Sequence, residues 1–297
     1  MSTYLSRSAS FMAMHGRILD RRRFELASGN GAAETRGAVL AALDGYRNPD
    51  GGYGWGLEPD LRSRESQPGG AQHALEAIAD AAPATSPHTV ALLDWLQSVT
   101  LPDGGLPFAL PLSDSTACAP FWAQADPQES SLQITAAIAT QAHRAARSDE
   151  NVKNHPWFTT ATRYCFQASQ DIDETPFAYV LLFALQFLDA TSDSYPEAHA
   201  LLERLARFVP RDGALPVVGG AEGETLRLLD FAPEPGRPVR SLLDDRAVAN
   251  DLDRLESGQR PDGGWAVDFA SYSPAASLEW RGYSTVHAVA VLRMNCR

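Results

Sequence analysis

A four-residue turn signal recurs along the chain and constrains its architecture more than any other feature. Pro-Asp-Gly-Gly occurs at 49–52, 102–105 and 261–264, and Pro-Arg-Asp-Gly at 210–213 is an imperfect fourth copy. The aspartates are 53, 109 and 50 residues apart, and the long middle interval contains a further helix breaker at 154–156. A period of this length indicates a repeat protein in which each repeat is one supersecondary unit.

The segments between the turns have helical patterns of two kinds. Val248, Leu252 and Leu255 follow the spacing of a helix with one apolar side, whereas 177–188 and 285–292 are apolar on nearly all sides and must be enclosed. Each repeat therefore combines an inner and an outer helix. The predicted helices start at Pro68 and Pro87 and cover 130–147, 157–168, 175–189, 196–208, 243–257 and 275–293.

The connections predict how these helix pairs are arranged. Segments 47–68 and 101–129 are long and rich in Gly, Pro and aromatic residues, unlike the short turns of open solenoids. We therefore expect a closed all-α architecture, an α/α toroid of about five to six helical hairpins. The whole chain, 1–297, is predicted to be one domain, with an N-terminal helix and lead-in at 1–33 and the repeats at 34–295.

Charge and composition restrict the partners. The chain has 25 basic and 37 acidic residues and a net charge of −12, which repels nucleic acid and anionic lipid. We expect no nucleic-acid partner and no membrane insertion, and the absence of a signal-peptide pattern favours the cytoplasm. The three cysteines are widely spaced and the seven histidines form no close pair, so we expect no metal and no cofactor.

One repeat carries a family resemblance. The segment 252–265, which contains Gln259-Arg-Pro-Asp-Gly-Gly-Trp265, resembles the QW repeat of terpenoid cyclases and protein prenyltransferase β-subunits, and 46–55 and 95–106 look like weaker copies. The resemblance covers roughly 34–295. It implies a toroid with an apolar central cavity, whereas the activity must be sought in individual residues because one fold carries many functions.

The catalytic motifs of those families are incomplete in this chain. The resemblance would place the DxDD-type acids of class II terpenoid cyclases near 131–136, where the chain keeps Thr135-Ala136 without the acids. It would place a zinc-binding His of the prenyltransferases just before Thr285, where the chain has Ser284. Neither a diphosphate-binding DDxxD run nor a zinc set is expected.

The densest group of ionisable and aromatic residues lies in the first long loop. Trp55, Glu58, Asp60 and Arg62 follow one another within eight residues. Two carboxyl groups beside an arginine can provide a general acid held by a charge partner, which makes Glu58 and Asp60 candidate catalytic residues. Trp55 and Arg62 are candidate substrate-binding residues. Alternatively, Arg62 pairs with Asp60 only to hold the loop.

Two further groups precede predicted inner helices. Trp122 is a candidate cavity wall, and Glu129 is either a catalytic acid or a helix cap. Towards the C-terminus, Glu279 is a candidate catalytic acid, and the candidate substrate-binding residues are Asp268, Trp280, Arg281, Tyr283 and His287. By contrast, 222–230 lacks a helical pattern where the repeat expects one.

These residues favour an enzyme that binds a small apolar molecule, an isoprenoid by resemblance, and performs metal-independent acid–base cyclisation or isomerisation. Aromatic rings would stabilise a cation, and one of the carboxylic acids would move the proton. Two alternatives stay open: a toroid that binds a ligand or partner without catalysis, and a carbohydrate-active toroid with paired carboxylates.

Overall fold

A computed structural model describes residues 3–297 and confirms the all-α class, with 56% of residues in helices and two short strands. The helices in this part of the chain are α1 (Thr3–His15), α2 (Ile18–Ala27), α3 (Ala33–Leu43), α4 (Pro68–Asp80), α5 (Thr89–Ser98), α6 (Pro120–Ala123), α7 (Leu132–Ala146), α8 (Glu150–Lys153), α9 (Pro156–Gln170), α10 (Ala178–Thr191), α11 (Glu197–Leu205), α12 (Leu228–Phe231), α13 (Pro238–Ser241), α14 (Asp245–Ser257) and α15 (Pro274–Met294). The strands β1 (Ala214–Pro216) and β2 (Thr225–Arg227) form an antiparallel hairpin.

The predicted helices are confirmed, with boundaries shifted by up to three residues. Strand β2 and most of the four-residue helix α12 lie in 222–230, where the sequence lacks a helical pattern, and β1 precedes this region. In the N-terminal 33 residues the structure has two helices, α1 and α2, where the sequence predicts one helix and a lead-in.

The recurring turns share one hydrogen-bonding scheme. In each Pro-Asp-Gly-Gly copy the Asp side chain accepts the N–H of the second glycine, as Asp50 does from Gly52 at 2.9 Å. The first glycine, for example Gly51 at φ 93°, adopts the left-handed conformation that L side chains avoid. These turns therefore have a structural role, as the sequence predicts for its Asp-Gly pairs.

Two of these turns are each supported by a threonine of a neighbouring helix, Thr135 of α7 and Thr285 of α15. The Thr135 hydroxyl accepts the N–H of Leu106 at 2.9 Å, and the Thr285 hydroxyl accepts the N–H of Trp265 at 3.0 Å. Each hydroxyl also donates to the carbonyl four residues earlier in its own helix. The residues that resemble catalytic motifs at these positions are thus structural.

Neighbouring helices contact one another in a continuous series. From α4 the contacts run through α7, α10, α12 and α14 to α15, and α15 packs against α2, which contacts α4. Helices α3, α5, α9 and α11 pack beside this series. Helix α10 has no exposed residue, whereas α14 buries only one side, as the two kinds of sequence pattern predict.

Among residues 3–297 there is no helix with the length and apolar character needed to cross a membrane.

Candidate functional site

A cavity of about 1150 Å³ is lined by residues of α4, α7, α10, α12 and α15 and by the loops that precede them. Its wall combines aromatic rings with ionisable groups. Cavities with an apolar wall and a few convergent polar groups are the usual location of small-molecule sites. We therefore take this cavity as the candidate site.

The first long loop places two carboxyl groups in the cavity wall. Glu58 is 6% exposed and Asp60 is 4% exposed, although both side chains are ionisable. The N–H of Asp60 donates to Glu58 Oε1 at 3.0 Å, so the two residues form one local turn around Pro59. Burial of this kind is costly for a carboxylate unless partners compensate it.

Glu58 finds its compensating charge on α4. His73 Nε2 lies 2.7 Å from Glu58 Oε2, and His73 Nδ1 lies 3.4 Å from Glu76 Oε2. Burial alone lowers the pKa of His73, but its hydrogen bonds to Glu58 and Glu76 outweigh burial and raise the pKa to about 9. At neutral pH the ring is therefore a buried imidazolium between two carboxylates.

Asp60 has no ionic partner within hydrogen-bonding distance in the described part of the chain. Its Oδ2 accepts the indole N–H of Trp280 at 2.7 Å, and its Oδ1 accepts the N–H of Tyr272 at 3.2 Å. Burial raises the pKa of Asp60, and these two hydrogen bonds only partly offset that effect. Asp60 is thus the carboxyl group of the pair that is better suited to carry a proton.

Aromatic rings surround these acids on two sides. Trp122 stacks on Phe108 with centroids 4.3 Å apart and planes 9° apart, and both line the cavity. Trp280 and Tyr283 present their rings edge-on to His73, with centroids 6.0 Å and 5.3 Å away. Such rings can hold an apolar ligand and stabilise positive charge that develops on it.

The hairpin supplies a second polar group to the cavity. The Tyr179 hydroxyl, at the start of α10, donates a short hydrogen bond to Glu224 beside β2. Burial, this hydrogen bond and the charges of Glu224, Asp230 and Glu58 all raise the pKa of Tyr179. Tyr179 therefore remains a neutral hydroxyl at any physiological pH, and Glu58, Glu224 and Asp230, which affect it, also line the cavity.

Eight of the twelve predicted site residues line the cavity: Glu58, Asp60, Trp122, Glu129, Asp268, Trp280, Tyr283 and His287. Of these, Glu129 and Asp268 are exposed at its edge, and Ser131 rather than Glu129 caps α7 by accepting the N–H of Ile134. The interpretation of Glu129 as the helix cap is therefore wrong.

The other four predicted residues lie outside the lining of the cavity, contrary to expectation. Trp55 is 56% exposed. Arg62 pairs with Glu279 at 2.6 Å rather than with Asp60, so the predicted pairing inside the loop is wrong. Arg281 pairs with Asp262 at 2.8 Å and supports the last Asp-Gly turn.

Sequence reasoning missed the groups that organise the site. His73 and Glu76 stand three residues apart on an Ala-rich helix, a spacing that puts both on one face, and this was the available signal. Arg23, which contacts Glu76 at 2.8 Å, comes from α2 and is distant in sequence. Tyr179 and Glu224 belong to a long-range pair that no local pattern indicates.

In residues 3–297 no three His, Cys, Asp or Glu side chains are grouped as metal ligands. Within the cavity wall Glu58, His73 and Glu76 are instead paired with one another, whereas Asp60 accepts hydrogen bonds from Trp280 and Tyr272. No protein-family model matches the chain, and a comparison with curated proteins gives no match either.

Proposed function

We propose that the protein is an enzyme that isomerises or cyclises a largely apolar, isoprenoid-type molecule by acid–base chemistry in the central cavity. The observation that carries this proposal is the pair Glu58 and Asp60, buried together in a partly aromatic wall but in different electrostatic environments. Pairs of titratable groups with contrasting environments are the usual basis for dividing acid and base roles.

We also propose that the helices close into the α/α toroid that the QW-like repeat implies. The continuous series of contacts from α4 to α15, and the contacts of α2 with both of those helices, support this arrangement. In a toroid, the loops before the inner helices meet around one opening. The cavity lining includes residues from several of these loops, as the proposal requires.

Asp60 is assigned as the general acid and Glu58 as the base. Asp60 transfers its proton to a carbon of a substrate double bond, so a C–H bond forms and the adjacent carbon becomes cationic. Facing aromatic rings and the Glu58 carboxylate stabilise that charge. A C–H bond next to the cation then breaks, its electron pair forms the new double bond, and Glu58 takes the proton. The product is an isomer of the substrate, and exchange with solvent water then removes the proton from Glu58 and returns one to Asp60.

The test is turnover of linear prenyl alcohols and prenyl diphosphates, followed by mass spectrometry. We expect products of unchanged mass and altered chromatographic retention. Asp60→Asn and Glu58→Gln each lower kcat by about 10²-fold or more, the usual contribution of a general acid or base. Glu65→Gln changes a carboxylate of the same loop outside the cavity lining and is the matched control, with activity unchanged.

Ligand binding without turnover is the second candidate. It is favoured by one observation: each carboxylate oxygen of Glu58 and Asp60 already accepts a hydrogen bond from the protein or faces the His73 ring. Binding of the same prenyl probes in calorimetry, with no change in any probe after prolonged incubation, would favour this function and exclude the enzymatic one.

A further inference from the structure

A row of buried and half-buried side chains with alternating charge begins at the cavity wall. Glu58 faces His73 at 2.7 Å, and His73 faces Glu76 at 3.4 Å on its other nitrogen. Glu76 contacts Arg23 at 2.8 Å, and Arg23 contacts Asp80 at 2.8 Å. With a charged His73, every group in this row has neighbours of opposite sign.

The geometry around His73 indicates a charged ring. Both ring nitrogens of His73 face carboxylate oxygens, and a neutral imidazole has only one N–H to donate. Glu76 Oε1 also receives the Tyr283 hydroxyl at 3.0 Å and lies beside the Arg23 guanidinium, so Glu76 is held as an acceptor. Both nitrogens can donate only if the ring is an imidazolium.

We propose that Glu76 and Arg23 are positioning residues that act through His73: they hold the ring as a fixed imidazolium whose Nε2–H is directed at Glu58. This inference rests on the proposed function, because it keeps Glu58 as the carboxylate that serves as the base and Asp60 as the acid that donates the proton. His73 itself exchanges no proton with the substrate.

The groups around the ring agree with this assignment. The loop contributes Glu58, α4 contributes Glu76, and α15 contributes the edges of Trp280 and Tyr283. The charged groups that act on the ring are the carboxylates of Glu58 and Glu76, and both favour the protonated form. The positive charge of Arg23 acts on Glu76 instead, and Glu76 has a pKa well below its usual value because Arg23 and His73 outweigh its burial.

The closing experiment is a long-range ¹H–¹⁵N NMR titration of the full-length chain from about pH 5 to about pH 9.5, with His73 assigned by the loss of its signals in His73→Gln. We expect both ring nitrogens of His73 in the wild type to be protonated up to about pH 8. In Glu76→Gln the midpoint falls by about one pH unit or more, which is a tenfold or larger loss of proton affinity.

A second histidine provides the matched control. His155 Nε2 lies 3.1 Å from Asp94, so Asp94→Asn removes a carboxylate partner from a histidine outside the cavity. We expect this variant to leave the His73 signals unchanged. Where prenyl probes turn over, Glu76→Gln lowers kcat by about tenfold and leaves KM within about twofold, because the positioning affects the reacting state.

Two outcomes overturn the inference: a wild-type His73 that titrates near its ordinary pKa, or a folded Glu76→Gln with an unchanged His73 midpoint. If Glu76→Gln does not fold, the wild-type spectrum alone decides between the charged and the neutral ring. The titration needs no substrate. Failure of the prenyl assays therefore counts against the proposed function, and a neutral His73 counts against this inference.

Discussion

Of two buried histidines in this protein, His73 is charged and His143 is neutral at pH 7, because their partners differ. His73 lies between two carboxylates, whereas His143 contacts the Thr162 hydroxyl, at 2.9 Å, and the aromatic rings of Phe158, Phe187 and Tyr195. Burial lowers the pKa of His143 to about 4, so this ring is neutral at pH 7. The Thr162 hydroxyl donates to a backbone carbonyl at 2.7 Å, so His143 Nε2 must be the donor.

The raised pKa of His73 makes stability depend on pH. The folded-state pKa of about 9 lies above the unfolded value, so the stabilisation is complete below about pH 6.5 and is lost as the pH rises through about 9. We expect the free energy of unfolding in urea to fall by about 3 kcal/mol over this range. His73→Gln should remove most of the decrease, and an equal decrease in that variant would contradict the assignment.

At the scale of single elements, close backbone contacts fix how α4 meets the first long loop. A Cβ added at Gly70 would lie 2.3 Å from the carbonyl oxygen of Tyr53, which cannot move without the loop. The same addition at Gly37, within α3, meets nothing within 4 Å. Close packing of helix and loop therefore requires glycine at position 70, whereas position 37 has room for a side chain.

Substitution of these two glycines tests the contact. Gly70→Ala should destabilise the protein by about 2 kcal/mol or more, because the new methyl group forces the helix and loop apart. Gly37→Ala should stabilise it by up to about 1 kcal/mol, since alanine is the better helix former. Urea unfolding of both variants measures the difference, and similar stabilities for the two would rule out the tight contact at Gly70.

Elements with local sequence patterns could be predicted, whereas contacts between distant helices could not. Helices such as α10 and the Asp-Gly turns follow from local patterns, and the sequence predicts them within a few residues. Glu58 and Asp60 were predicted because they cluster with aromatic residues in one loop. The link from Glu76 to Arg23 spans separate helices, so only the tertiary arrangement brings it to the site. Local patterns carry no information about such pairs.

At the scale of the whole molecule, the C-terminal helix holds the first long loop in place. Trp280 on α15 donates to Asp60, and Glu279 on the same helix pairs with Arg62. These contacts join residues more than 200 positions apart. The site therefore depends on contact between the two ends of the repeat series.

Removal of one such contact should lower the free energy of unfolding and change the pKa of Asp60. Trp280→Phe keeps the ring but removes the N–H donor to Asp60, and we expect a loss of about 1–2 kcal/mol in the free energy of unfolding. The pKa of Asp60 should rise further, because this hydrogen bond opposes the effect of burial. Trp55→Phe is the control, since the exposed indole of Trp55 donates to Asn48. An equal loss of unfolding free energy in both variants would contradict a specific role for the hydrogen bond from Trp280 to Asp60.

The most direct measurement of the central claim is the mass of product formed in D₂O. If Asp60 adds a solvent-exchangeable proton to the substrate while Glu58 removes another from carbon, the isomer made by the wild type carries one deuterium. Asp60→Asn should form little of this product. An isomer without deuterium, or one that Asp60→Asn makes at the wild-type rate, would contradict proton transfer in the cavity.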